Sequence, residues 1–458
     1  MADPDVWWHL RTGQLILQNH SLFHTDPYSF TRSGQPWVDH EWLSEVLMFG
    51  LYRVAGAGGL IVVFAAIIAA TLLLVFMRCP GRPYLAALVT LWGAVASAPT
   101  WGVRPQIFSL LLASIFLVLL EASATRPSLL WWTAPLMLLW VNLHAGYPLG
   151  LAFLALFLFG EWLEAAVGPG PWSQSAPRLR KLALAFAVGF ALVALNPNGV
   201  LIYSYPFQTL RSSSMHRFIQ EWFSPNFHDP MYLPLLLMLL ALVAGLALSP
   251  RPPRVRTLVL LLATIPAALR SIRHIPILVL VLTPGLAELA ATWIRQRRAT
   301  RFRRMGRTTP SPPTLLVNVL VLVTFVVFTV ARVRRVMSTQ AATEAQHFPT
   351  AAAAFLDRER PPGPFLNHYN WGGYLIWKLY PQYRIFIDGR ADVYGDSFME
   401  DFGACYYLTD DWRKNLQTWG IRTLVLPPDA PLITALQAGS EWKQIYADSE
   451  AVVLTRRQ

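Results

Sequence analysis

Cysteine and charge are both scarce in this chain. It has two cysteines in 458 residues, Cys79 and Cys405. The hydropathy pattern puts them on opposite sides of a membrane, so neither a disulfide framework nor a cysteine metal site is expected. Charged residues make up 14% of the chain and hydrophobic ones 54%, and mean hydropathy is +0.39. That balance is too apolar for a soluble enzyme of this length and is that of a polytopic membrane protein. Acidic groups are the scarcer sign, 26 against 38 Lys and Arg, for a net charge of +12. The basic excess sits in short clusters between apolar runs, which is the positive-inside pattern rather than a nucleic-acid-binding face. No internal repeat, low-complexity tract, signal peptide or Gly-rich phosphate loop is visible.

What the chain does have is a series of apolar runs. Gly59–Met77, Tyr84–Pro99, Gln106–Leu120, Leu129–Leu143, Tyr147–Val167, Leu182–Leu195, Tyr232–Leu248, Thr257–Leu269, Ile275–Ile294 and Leu315–Val333 read as about ten spans. Several are shorter than the roughly 20 residues of an ideal span. The basic clusters at 78–82, 178–181, 251–256 and 295–307 all fall on one side by that count, which is therefore the cytosol. Arg332, Arg334 and Arg335 break the rule, as snorkelling side chains or headgroup contacts would. The segment 40–54 is apolar on one side, with Glu41, Glu45 and Arg53 off it. It reads either as an amphipathic helix at the membrane surface or as the start of a span.

The unusual polar groups at span ends gather on the other, outer side: Arg104, Gln106, Asn142, His144, Asn196, Asn198, Glu221, Arg270, Arg273 and His274. Ionisable groups at such depths are costly and usually functional, so a polar cavity opening outward is expected. Its roof would be the polar loop of residues 1–42, which carries Asp3, Asp5 and His9 at one end and Asp39, His40 and Glu41 at the other. A loop of that size normally follows a preceding span, so a transmembrane helix upstream of residue 1 is expected.

Each of these residues has two readings. Asp3 and Asp5, beside two tryptophans, are partly desolvated carboxylates suited to general-base work, or a turn and cap before a helix over 6–18. Asp39, His40 and Glu41 are catalytic or ligand groups, or a cap on the next helix. Asp5, His9 and Asp39 together are a candidate oxygen/nitrogen site for a divalent cation such as Mg or Mn. Arg104, Arg270, Arg273 and His274 are placed to clamp a phosphate or pyrophosphate, or to touch lipid headgroups. Asn142 and His144 read as interhelical hydrogen-bonding groups.

From about Phe348 the pattern changes to alternating helix and strand, a small α/β domain. Helices are expected at 349–359, 396–408, 412–419 and 430–438, and strands at 422–426, 443–447 and 451–455. Trp371, Tyr374, Asp388, Arg390 and Asp392 form a concentrated patch there. They read as an acceptor- or ligand-binding surface, or as a strand-end turn closed by an ion pair. The expected division is a first extracytoplasmic loop and juxtamembrane helix over 1–57, a transmembrane helical domain over 58–337, and an extracytoplasmic α/β domain over 338–458.

Asp5-Val-Trp-Trp-His9 resembles the first-loop acidic motif of the GT-C integral-membrane glycosyltransferases. Pro36-Trp-Val-Asp-His-Glu-Trp-Leu43, running on to Gly56, is similar to the later part of that loop and its juxtamembrane helix. Asn370-Trp-Gly-Gly-Tyr374 loosely resembles the Trp-Trp-Asp-Tyr-Gly motif of oligosaccharyltransferases but lacks its central Asp, so peptide-sequon recognition does not carry over. The resemblance implies inverting transfer of a sugar from a polyprenyl-phosphate donor to a glycan, lipid or protein acceptor in the cell envelope. Asp5 would be base or acceptor-orienting group, and Arg104, Arg270 or Arg273 would hold the lipid phosphate. The alternatives are a transporter or flippase of a lipid-linked or anionic solute, or a membrane-anchored binding protein. The one-sided gathering of polar groups disfavours transport, which needs them spread through the bilayer depth.

Overall fold

A computed structural model describes residues 1–168, 171–249, 253–299, 312–409 and 412–457. Arg251 and the basic residues from 301 to 307 lie outside the described residues. The protein is a mostly helical membrane body with a small sheet at its C-terminal end. The helices are α1 (Val6–Asn19), α2 (Trp42–Arg78), α3 (Pro83–Ser97), α4 (Gln106–Ala122), α5 (Thr133–Leu143), α6 (Pro148–Val167) and α7 (Trp172–Val193). They continue through α8 (Leu201–Arg211), α9 (Ser213–Phe218), α10 (Leu233–Leu248), α11 (Val255–Arg270), α12 (Ile275–Ala299) and α13 (Pro312–Ser338).

A helix stands at every one of the apolar runs. Among the described residues five stretches are long and apolar enough to cross a membrane: Trp42–Arg78, Pro148–Val167, Pro230–Leu248, Ile272–Gln296 and Leu315–Ser338. Others are short. The 11 residues of α5 extend only about 16 Å at 1.5 Å per residue. The stretch from Trp42 falls into two pieces. The helix is broken at Gly56, whose φ of 63° and ψ of −165° interrupt the helical geometry. Glycine alone reaches that backbone without strain. The piece before the break buries Ser44, Glu45 and Met48, and the piece after it spans.

At the arginine-rich end of the body the charges are paired. Arg78 meets Glu121 at 2.8 Å, and Glu161 takes Arg178 at 2.6 Å and Arg256 at 3.3 Å. Arg332, Arg334 and Arg335 are exposed at the end of α13.

The C-terminal segment contains α14 (Gln340–His347), α15 (Thr350–Glu359), α16 (Gly372–Leu379), α17 (Ala391–Tyr407), α18 (Trp412–Thr418) and α19 (Pro431–Gln437). Its strands are β1 (Phe365–Asn367), β2 (Thr423–Leu426), β3 (Trp442–Ala447) and β4 (Val452–Arg456), in the order β1-β2-β4-β3. β1 and β2 are parallel, and the β3–β4 hairpin adds antiparallel strands. β2, a short apolar run buried along its whole length, lies inside the sheet, and β1, also buried, forms one edge.

The N-terminal loop is built into this segment. The Phe30 N–H donates to Ile385 O at 3.1 Å, and the Ile385 N–H donates to Tyr28 O at 3.0 Å. Trp7, Trp8, Tyr28 and Trp37 share one apolar core with Phe348, Tyr374 and Leu375. Burial of these large rings contributes on the order of 1.5–3 kcal/mol each. That core holds the loop's acidic end against both the membrane body and the C-terminal segment.

Candidate active site

Two polar clusters share one cavity of about 540 Å³. The first is centred on Arg104, in the turn before α4. Its Nη2 lies 3.0 Å from Asp5 Oδ2 and its Nε 3.5 Å from Asp3 Oδ2, while Nη1 pairs with Glu221. Asp5 stands at the N-cap position of α1, yet its side chain makes no capping bond. It turns instead to Arg104 and accepts a 3.4 Å bond from Trp8 Nε1. The Asp5 N–H donates to Asp3 Oδ1 at 3.0 Å, which fixes the Asp-Pro-Asp turn.

Three glycines clear the space around this turn. A Cβ on Gly389 would stand 1.9 Å from Asp5 Oδ1, one on Gly373 2.5 Å from Pro4 O, and one on Gly102 2.8 Å from Asp3 Oδ2. Glycines in the Asn-Trp-Gly-Gly and Asp-Gly-Arg stretches thus serve the approach of the N-terminal turn.

Burial raises the Asp3 carboxyl to about 7, against the opposing pull of Arg104. Burial also raises Asp5, with Arg104 again opposing. Glu221 moves the other way: burial would raise it, but Arg104 and Arg273 outweigh that and hold it low. Burial thus makes the two aspartates more basic than ordinary carboxylates, as suits a general base, which takes up its proton in its ionised form.

The second cluster is centred on Glu41. Three imidazole Nε2 atoms converge on its carboxylate: His144 at 3.2 Å, His9 at 3.4 Å and His40 at 3.5 Å. Hydrogen bonding assigns the His144 tautomer. Gly146 N–H donates to Nδ1 at 2.8 Å. The Ser109 hydroxyl, which accepts from Trp140 Nε1, lies 2.7 Å from the same nitrogen. Nε2 therefore carries the proton and donates it to Glu41. His40 Nδ1 faces the Val38 carbonyl at 3.1 Å. Burial alone would lower His40, but the Glu41 carboxylate raises it to about 9. His9 is pulled down by burial to about 3. Burial would raise Glu41, yet His40 and His9 hold it well below the usual carboxylate range. It is a pinned anion, saturated with donors, and so a poor base.

Asp3, Asp5, His9, His40, Glu41, Arg104, Arg273, Arg390 and Asp392 all line the cavity, as do His144 and Glu221. Asp39 does not. It lies buried behind, with burial raising it to about 7. Arg270 is exposed and His274 partly buried, and neither lines the cavity.

The surface expected around Trp371, Tyr374 and Asp388 is core. Tyr374 stacks on Phe348 at 5.0 Å and meets Trp7 edge-on at 5.3 Å, and Trp371 is 6% exposed. Asp388 accepts from Arg390 Nε at 2.9 Å and Nη2 at 2.6 Å, and from Tyr394 OH at 2.9 Å. Arg390 Nη1 lies 2.8 Å from Asp26, and its guanidinium sits 4.7 Å from the Trp37 ring and 4.9 Å from that of Tyr28. The ion pair closes a turn, the second of the two readings. It is a buried triad whose third member, Asp26, gave no local signal.

The cation set Asp5, His9 and Asp39 is not assembled. Asp5 faces Arg104, and His9 is held between Glu41 and Glu45, at 3.1 Å from the latter. Among the described residues no group of three His, Cys, Asp or Glu side chains is arranged to hold a metal ion. Glu45 and Ser109 were missed as site-supporting groups. The i, i+4 spacing of Glu41 and Glu45 was the available sign.

No family model and no curated protein matches the chain. Solved structures do match. The archaeal oligosaccharyltransferase AglB from Archaeoglobus fulgidus, in complex with an inhibitory peptide and a dolichol-phosphate, superposes with a TM-score of 0.58 at 10% identity. The match covers 100% of this chain and 70% of that one. The apo form of the Archaeoglobus fulgidus oligosaccharyltransferase gives 0.54 at 11%, covering 100% and 71%. ArnT from Cupriavidus metallidurans, bound to undecaprenyl phosphate, gives 0.50 at 15%, covering 99% and 94%. The chain shares the fold of these solved membrane proteins, and at these identities the likeness is one of fold alone.

Proposed function

We propose that this protein is a membrane glycosyltransferase that moves a sugar from a polyprenyl-phosphate-linked donor to an extracytoplasmic acceptor. The observation that carries the reading is the Asp5 carboxylate. It is largely buried, its proton affinity is raised by burial, and it is held by Arg104 at the wall of a cavity that also contains Arg273. Two of the solved structures of this fold hold polyprenyl phosphates, which supports a lipid-linked donor here.

In the proposed step Asp5 takes the proton of the acceptor as its heteroatom attacks the anomeric carbon. The bond from that carbon to the phosphate oxygen breaks, and the lipid phosphate leaves with the electron pair. Arg273 is the better candidate to hold that phosphate. Among the described residues it lines the cavity without a carboxylate at ion-pair distance, lying over the Trp222 ring at 5.5 Å. Arg104 is already shared by three carboxylates, so its role is to orient Asp5. Glu41, saturated by its three imidazoles, would act as a fixed negative wall.

The test is incubation of proteoliposomes with a panel of polyprenyl-phosphate sugars, reading free polyprenyl phosphate by mass spectrometry. Release with one donor, reduced by Arg273→Gln, is the expected result. Donor binding without release across the panel would contradict the proposal.

A further inference from the structure

The cavity has a second, chemically different wing. On the C-terminal half of α17, beyond the break at Gly395, Met399, Phe402, Gly403, Tyr406 and Tyr407 all line it. Their spacing of i, i+3, i+4, i+7, i+8 is one face of a helix. Gly403 keeps this face flat, since a Cβ there would come within 3.2 Å of the Phe218 ring across the gap. Tyr406 lies 5.9 Å from Phe402, 5.0 Å from Tyr407 and 5.5 Å from His368. Tyr407 stands at the rim, 60% exposed.

Asp392, the charged lining residue of this helix, lies before the break at Gly395, and the α17 residues that line the cavity beyond the break carry no formal charge. Asn370 and Gln220 join the tyrosines there, and burial lowers His368 to about 4, so its ring is neutral. The charged lining residues, Asp3, Asp5, Arg104, Glu221, Arg273, Arg390 and Asp392, all lie outside this stretch of α17. A phosphate or carboxylate ligand would find no cation on this face of α17. An isoprenoid chain would find its apolar surroundings in the membrane, whereas α17 belongs to the C-terminal segment beyond the spanning helices. Aromatic faces with a few uncharged hydrogen-bonding groups suit a ligand with apolar ring faces and neutral hydroxyls.

We propose that this wing binds an uncharged oligosaccharide, the acceptor of the transfer reaction, by stacking its sugar rings on Tyr406 and Tyr407. The assignment as acceptor rests on the glycosyltransferase reading, but the binding itself does not. The test is saturation-transfer NMR of the full-length protein in nanodiscs with neutral trisaccharides of glucose, mannose and N-acetylglucosamine. At least one should receive saturation. Tyr406→Ala and Tyr407→Ala should each weaken it tenfold or more without changing the melting temperature, and Asp5→Asn should leave it intact. Tyr407 is exposed enough that its replacement keeps the fold. No saturation of any trisaccharide, or binding indifferent to both tyrosine variants, would overturn the inference. So would preferential saturation of a neutral apolar peptide. Binding that depends on the tyrosines in a protein without transferase activity would overturn the glycosyltransferase reading and leave this one standing.

Discussion

Gly389→Ala is the sharpest probe of how the acidic turn is held. The residue's φ lies outside the left-handed region, so the new methyl group is the whole perturbation. It would stand 1.9 Å from Asp5 Oδ1 and 3.0 Å from Asp5 Cγ, where ordinary contact begins at 3.4 Å. The carboxylate must therefore move by about 1.5 Å. It is tethered by Arg104 Nη2 at 3.0 Å and Trp8 Nε1 at 3.4 Å, so it cannot move without lengthening one of these bonds. A misplacement of about 1 Å in a reacting group costs about 10²-fold in rate, and the overpacking itself costs about 1–3 kcal/mol of stability. The assay is the initial rate of polyprenyl phosphate release in proteoliposomes, with the melting temperature measured in parallel. A folded Gly389→Ala protein is expected to lose about 10²-fold in kcat. Activity within twofold of wild type would refute the idea that Asp5 works from this position.

Other outcomes follow from the same geometry. Glu221→Gln removes a negative charge that raises Asp5 and frees Arg104 from one of its carboxylates. The acid limb of the kcat/KM profile should therefore move to lower pH, and an unmoved limb would contradict the assignment of Asp5 as base. Asp39 has its carboxyl raised to about 7 by burial. The folded state therefore holds a proton that the unfolded chain releases, and stability falls as pH rises from the ordinary carboxylate value through 7. Asp39→Asn should accordingly raise the melting temperature more at pH 8 than at pH 5, and an equal effect at both would refute this. Arg390→Met leaves Asp26 and Asp388 buried without their cation. The expected loss is about 3–5 kcal/mol, read as a large fall in melting temperature. A shift of only a degree or two would mean that the triad is not structural.

The helical membrane body was legible because apolar runs and arginine clusters are local signals. So was the α/β order of the C-terminal segment, where β2, α15, α18 and α19 fall within a few residues of expectation. The acidic turn was legible for a different reason: Asp3 and Asp5 beside tryptophans are a concentrated oddity in an apolar chain. What stayed hidden depends on contacts far apart in sequence. Arg390 meets Asp26 across more than 360 positions, and that pairing decides whether Asp388-Gly-Arg390 is a ligand surface or a buried turn. The ambiguity of Asp5 and Glu41 as helix caps had the same origin. Both stand at N-cap positions, and both were drawn off by partners that only the fold supplies, Arg104 for one and three histidines for the other. The glycines at 373 and 389 serve a close approach whose partner, the protein's own N-terminal turn, lies far away in sequence.

The most direct measurement compares wild type with Asp5→Asn in proteoliposomes, for both donor binding and release of polyprenyl phosphate. Loss of release by 10²-fold or more, with donor affinity unchanged, is the predicted result. Equal release from the two proteins would contradict the claim that this carboxylate carries the transfer.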